Sequence, residues 1–212
     1  MNGVPGMLGK WVTLLLLGMS CAFAQDDTSM VGTHCVKFEP IQAGGELRGC
    51  SLDYLTVQAD RAYLNGEWVA VTGSIQLAMT SDNRLGVRHR LGLKRVIPNS
   101  PYERPHFAYI QTQSHSTARA SMAEGDAEAG YKLFAYGMEA AVAGILKDML
   151  DSGRLTIGYN RKQDGLEVMV PLDLRVADIS YNSDGSVSRK RSPDALAAFA
   201  GCYTRVGGLT GK

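Results

Sequence analysis

The chain lacks the short motifs that mark common catalytic and nucleotide-binding sites. It has no Gly-x-Ser-x-Gly elbow, no His-Glu-x-x-His pair, no Ser-x-x-Lys, no P-loop and no dinucleotide glycine fingerprint. Histidine is scarce, and the four present, His34, His89, His106 and His115, fall in separate segments. There is no Cys-x-x-Cys and no Cys/His spacing suited to a metal, so neither a metal nor another cofactor is implied. An excess of one charge is also missing. Lys and Arg number 22 against 21 Asp and Glu, so bulk nucleic-acid binding is not expected. No internal repeat and no low-complexity linker occurs. These absences leave no residue with grounds for a catalytic assignment.

What is present begins with an address. The first ten residues carry one cation, Lys10, and no acid. An apolar run over residues 11–19 follows, then Cys21-Ala22-Phe23-Ala24. The Ala22-x-Ala24 pattern fits a signal peptidase site, so residues 1–24 read as a cleavable signal peptide and the chain as exported, with the periplasm preferred. The run is short for a membrane span, and no second one follows. An alternative makes Cys21 a lipoprotein cysteine. Against it, Gly18 stands where such signals favour a larger aliphatic residue. Cleavage would remove one cation and no acid, leaving the charges balanced. Residues 25–206 then suit one domain with a real core, and residues 207–212 read as a flexible tail.

Three cysteines remain after the signal: Cys35, Cys50 and Cys202. Export makes a disulfide plausible. Cys35–Cys50 would close a short loop and stabilise by about 3 kcal/mol in the loop-entropy model. Cys202 is an alternative partner for either, tying the C-terminal helix to the N-terminal part. One cysteine is left over in every scheme.

The chain is organised around residues 67–96, which read as two long strands joined by a turn at 80–84. Side chains alternate in a strand. Val69, Val71, Ile75, Leu77, Val87, Leu91 and Leu93 fall on one face with His89 among them, and that face is the expected core face. The register that keeps this set together puts Met79 opposite Leu85 and Leu77 opposite Val87. The other face of the second strand carries Arg84, Arg88, Arg90 and Lys94. In that register they oppose Gln76, Ser74 and Ala70, with no carboxylate on the partner strand. Such a row is a candidate anion-binding surface, although a solvated face, or pairing to acids on the other neighbouring strand, is the more ordinary account of the pattern. His89 is expected as a core histidine bonded to backbone.

Other hairpins flank this one. Asn65-Gly66 predicts a two-residue turn that sets Tyr63 opposite Trp68, placing Trp68 near one end of the cationic row. Asp164-Gly165 predicts another, with Tyr159 opposite Val170, Ile157 opposite Leu172 and Pro171 opposite Gly158. A weaker hairpin surrounds residues 182–185. Apolar spacings of three and four from Phe134 to Met149 predict one long amphipathic helix over about 127–152, capped by Asp126 and ended by Gly153. Ser192-Pro193 opens a short C-terminal helix over about 193–203. The expected fold is α+β, mainly antiparallel β, with hairpins forming a curved sheet or sandwich packed by the two helices.

Three functions of different classes fit. The first is an exported binding or interaction module without catalysis, its cationic face (Trp68, Arg84, Arg88, Arg90, Lys94) meeting an anionic envelope ligand or acidic protein. The second is an envelope hydrolase assembled from dispersed groups, with His106 and His115 beside a Ser/Thr-rich loop. The third is a structural envelope component.

Overall fold

A computed structural model describes residues 30–79, 84–117, 122–123 and 129–207. The signal segment, the turn at 80–83, the Asp126 cap and residues 208–212 lie outside the described residues. The fold is α+β and mostly antiparallel β.

Four long strands run as a meander: β1 (Gly32–Ala43), β2 (Glu46–Asp60), β3 (Glu67–Met79) and β4 (Leu85–Arg95). Two short strands follow, β5 (Tyr102–Glu103) on β4 and β6 (Phe107–Gln111) in a different sheet. Next come β7 (Met122–Ala123) and β8 (Tyr131–Gly137), which extend the first sheet to the order β1-β2-β3-β4-β8-β7. The chain then forms α1 (Ala140–Ser152), β9 (Arg154–Asn160), β10 (Val168–Asp173), β11 (Val176–Tyr181), β12 (Val187–Arg191) and α2 (Asp194–Gly207). Strands β10-β9-β6 form a three-stranded sheet, and β11-β12 a separate pair.

The β3–β4 register matches the alternation of the sequence: Met79 pairs with Leu85, Leu77 with Val87, Gln76 with Arg88, Ser74 with Arg90 and Ala70 with Lys94. A one-residue slip would have turned Val71, Ile75, Leu77, Leu91 and Leu93 out of the core, and all five are buried. One apolar cluster joins that face to Ile110, to Ile157 and Tyr159 of β9, to Val142, Ile145 and Met149 of α1, and to Leu196 and Phe199 of α2. The Cys50–Cys202 disulfide fastens α2 to β2. The short Cys35–Cys50 loop is thus not the one closed. Cys35 is a buried thiol on the opposite sheet face, packed with Leu55, Val57 and Ala70.

Three sequence expectations are corrected. The helix predicted over 127–152 is confined to Ala140–Ser152, and Tyr131–Gly137 is a strand on β4. Gly130 and Gly137 fall in the part of the predicted helix that does not form, each costing about 1 kcal/mol in a helix interior. The Tyr131–Tyr136 stretch finds a pairing edge on β4 instead. The Asn65-Gly66 turn does not close a two-residue loop, because β2 stops at Asp60 and pairs it with Glu67. The Asp60 carboxylate accepts the Ala62 and Tyr63 amides, and its carbonyl accepts those of Leu64 and Gly66, so the loop spans residues 61–66 and Tyr63 does not oppose Trp68. Finally, Tyr159 pairs with Val168 and Ile157 with Val170, two residues from the predicted register. A shift by two preserves which face is apolar, so Val168, Val170 and Leu172 stay buried while Leu166 is exposed. Pro171 consequently faces Thr156, on the edge strand of its sheet. The C-terminal helix begins as expected, with Ser192 Oγ accepting the Asp194 amide, but runs to Gly207.

Candidate functional site

Strand β4 carries the cationic row on the face turned away from the main core. Pairing across the sheet shows what shares that face. Arg90 aligns with Ser74, Asp53 and Lys37 in one direction and Leu133 in the other. Arg88 aligns with Gln76, Ser51 and Glu39 on one side and Ala135 on the other. The face is therefore polar across four strands, with its acids at β1 and β2 and its cations concentrated at β4. Ser51 Oγ donates to Asp53 Oδ1 at 2.6 Å, and Gln76 Nε2 donates to Ser74 Oγ at 3.1 Å. Arg84 is exposed, while Arg88, Arg90 and Lys94 are half-buried.

At the β5 and β8 side the cations interleave with two tyrosines. Lys94 Nζ lies 5.4 Å from the Tyr102 ring centroid, Tyr102 and Tyr131 lie 4.9 Å apart, and Arg90 Cζ lies 4.8 Å from the Tyr131 centroid. These four side chains form a ladder of cation, ring, ring and cation. Two glycines seat it. A Cβ on Gly92 would stand 2.7 Å from Tyr131 ring atoms, and one on Gly130 (φ +86°) would stand 2.3 Å from Tyr102 Cβ. Tyr131 Oη is hydrogen-bonded to Thr72 Oγ1 at 3.0 Å, and burial pushes this phenol up to about 12, so it is neutral at physiological pH. Tyr102 is 37% exposed, so the ladder is open to solvent on the Lys94 side.

Trp68 sits on this face and is partly buried. It closes a small apolar cluster with Val96 over Cys35, Leu55, Val57 and Ala70. The structure thus brings Arg88, Arg90 and Lys94 onto one face and puts Trp68 at its end, while Arg84 precedes β4 and is exposed. Tyr102 and Tyr131 were missed by the sequence reading, one hidden in a proline-rich loop and the other in the misassigned helix. Gly130 before an aromatic-rich alternation was the available signal for a strand.

The histidines separate. His34 is buried with Nε2 2.7 Å from the Met30 carbonyl, and burial lowers its pKa. His89 is buried, and its partner is the Tyr54 hydroxyl at 2.8 Å from Nε2, not the backbone. Burial lowers His89 to about 3 and raises the Tyr54 phenol well above its ordinary value, so the pair is neutral. His106 is exposed, its amide donating to the Asn160 carbonyl. His115 is half-exposed beside α1, where Nδ1 meets the Asp148 carboxylate at 3.0 Å. Among the described residues no group of three His, Cys, Asp or Glu gathers in a way that could hold a metal ion.

A buried ionic joint lies elsewhere. Arg161 Nε donates to Asp60 Oδ2 at 3.0 Å and Nη1 to Glu103 Oε2 at 2.6 Å, with both Asp60 and the guanidinium out of solvent. It ties the β2–β3 loop, β5 and the end of β9 together, which gives it a structural role.

Comparison with protein families, with characterised proteins and with solved structures finds no match for this chain. The site is therefore read from its geometry alone.

Proposed function

We propose that the protein is an exported binding module that recognises an acidic ligand through the β4 face, with Lys94, Tyr102, Tyr131 and Arg90 at its centre and Arg84 and Arg88 extending it. The observation that carries this reading is the cation–ring–ring–cation ladder. Aromatic faces offer an apolar surface to a sugar or other flat group, while guanidinium and ammonium groups supply charge-assisted hydrogen bonds to carboxylates or phosphates. An acidic polysaccharide joins both features in one ligand, and no chemistry is assigned to this face. Export is supported by the apolar N-terminal run with its Ala22-x-Ala24 site and by the Cys50–Cys202 bridge, a bond typical of oxidising compartments. The periplasm is the preferred compartment. Among the described residues no helix is long and apolar enough to cross a membrane.

The test is a binding isotherm with polygalacturonate as the acidic probe and neutral dextran as control. Wild type should bind the acid polymer with strong salt dependence, and Arg88→Glu/Arg90→Glu should reduce affinity at least about tenfold by reversing two charges. Equal binding by the variant would remove the proposal.

A further inference from the structure

The cations of the β4 face are strung along the strand. Arg88, Arg90 and Lys94 share one side of β4, and Gly92 is the position between the last two. At the rise of an antiparallel strand, the backbones of Arg88 and Arg90 stand about 7 Å apart and those of Arg90 and Lys94 about 14 Å apart. The gap at Gly92 is filled by the Tyr131 ring, since an added Cβ there would lie 2.7 Å from its atoms. Each cation rests on a different ring: Arg90 on Tyr131 and Lys94 on Tyr102. With two rings in contact between the charged ends, one carboxylate cannot touch both.

This separation is built into the fold. Tyr131 is paired with Gly92 across β4 and β8, and Tyr102 with Lys94 across β4 and β5. Thr72 Oγ1 holds the Tyr131 hydroxyl at 3.0 Å. Gly130 lets the chain pass close to Tyr102, where an added Cβ would stand 2.8 Å from the Tyr102 carbonyl oxygen. The spacing is therefore set before a ligand arrives, which lowers the ordering cost of binding. Two acids near the Lys94 end are committed elsewhere: Glu67 is paired with Arg95 and Glu103 with Arg161. Asp53 lies two strands from Arg90 and accepts Ser51 Oγ.

We propose that the β4 face takes a linear acidic polysaccharide laid along the strand, with one carboxylate at Lys94, another at Arg90 and a sugar over the exposed Tyr102 ring between them. The inference rests on the binding reading above and narrows it. The ligand is recognised by the span between its acids, so a compact anion of equal charge is not a ligand. Once one carboxylate is held, capture of the second is intramolecular, and affinity rises without a new kind of contact.

The test titrates galacturonate oligomers of defined length, from monomer to tetramer, into the full oxidised chain, with citrate as the compact polyacid. Wild-type affinity should rise by at least about tenfold between dimer and tetramer, as the second carboxylate becomes able to reach Lys94. Citrate should bind no tighter than the monomer. Lys94→Gln should bring the tetramer to within about twofold of the dimer, because only one end of the span remains. The dimer, held at Arg88 and Arg90, should keep its wild-type affinity in that variant, which also reports that the face is intact. An affinity that climbs evenly with each added acid, citrate matching the tetramer, or a Lys94→Gln tetramer as tight as wild type would overturn the span and leave the charged face as a binding surface. Tetraglutamate binding as tightly as the sugar tetramer would overturn the polysaccharide assignment. No binding of any oligomer or of polygalacturonate would overturn this inference together with the reading beneath it.

Discussion

His89 shows how one side chain ties the recognition strand to the stability of the core. It occupies an alternating position among Val87, Leu91 and Leu93, pairs with Tyr54 and is held at about 3 by burial alone. Its folded value lies below the ordinary imidazole value, so protons bind the unfolded chain first. The neutral buried ring contributes stability that is fully present at alkaline pH and lost as pH falls from about 6.5 toward 3. His34, also lowered, acts with the same sign. Urea unfolding across that range should show His89→Leu with a shallower pH dependence, by about 1.4 kcal/mol per pH unit, the slope of one proton. An unchanged slope would mean that His89 takes up its proton in the folded state. At this scale the sequence was informative about burial and silent about partners. Alternation alone put His89 inside, whereas its bond to Tyr54 depends on strands that are distant in sequence.

At the scale of elements, legibility followed how strongly burial constrains the chain. The β3–β4 register could be read in advance because every one-residue alternative exposes the apolar set. The β9–β10 register could not, since a shift by two residues keeps the same faces buried. Tertiary contacts hold the connecting loop there: Arg161 turns in to Asp60 and Glu103, and Tyr63 Oη donates to the Leu166 carbonyl. The same limit hid Tyr102 and Tyr131, whose ring contact requires β5 and β8 to flank β4. The Arg161 joint gives a direct energetic expectation. Arg161→Ala leaves Asp60 buried without its cation and should cost about 3–5 kcal/mol in unfolding free energy. Asp60→Asn/Arg161→Leu should cost less than the sum of its single changes, as expected for groups in contact. Additive costs would show that the two side chains do not act as a pair.

Across the whole molecule, the layers are locked by covalent and apolar contacts that leave one sheet face polar around Arg88 and Arg90, with a small apolar cluster under Trp68 at its end. The Cys50–Cys202 bridge spans a sequence separation of 152 and pins α2 over β2. Loop entropy assigns such a closure about 5 kcal/mol. Cys50→Ala/Cys202→Ala should therefore lower the urea midpoint markedly, and added reductant should lower wild type to the same value. Equal midpoints for oxidised wild type and the double variant would contradict a stabilising bridge. With the core face committed to α1, α2 and the small sheet, recognition is left to the opposite side, where β4 presents its cations beside two seated tyrosines. The most direct measurement is amide chemical-shift mapping of the folded protein titrated with polygalacturonate. The predicted result is saturable shifts concentrated at residues 88–94, 102 and 131, abolished by high salt. Absence of shifts, or shifts confined to β9 and β10, would contradict the account.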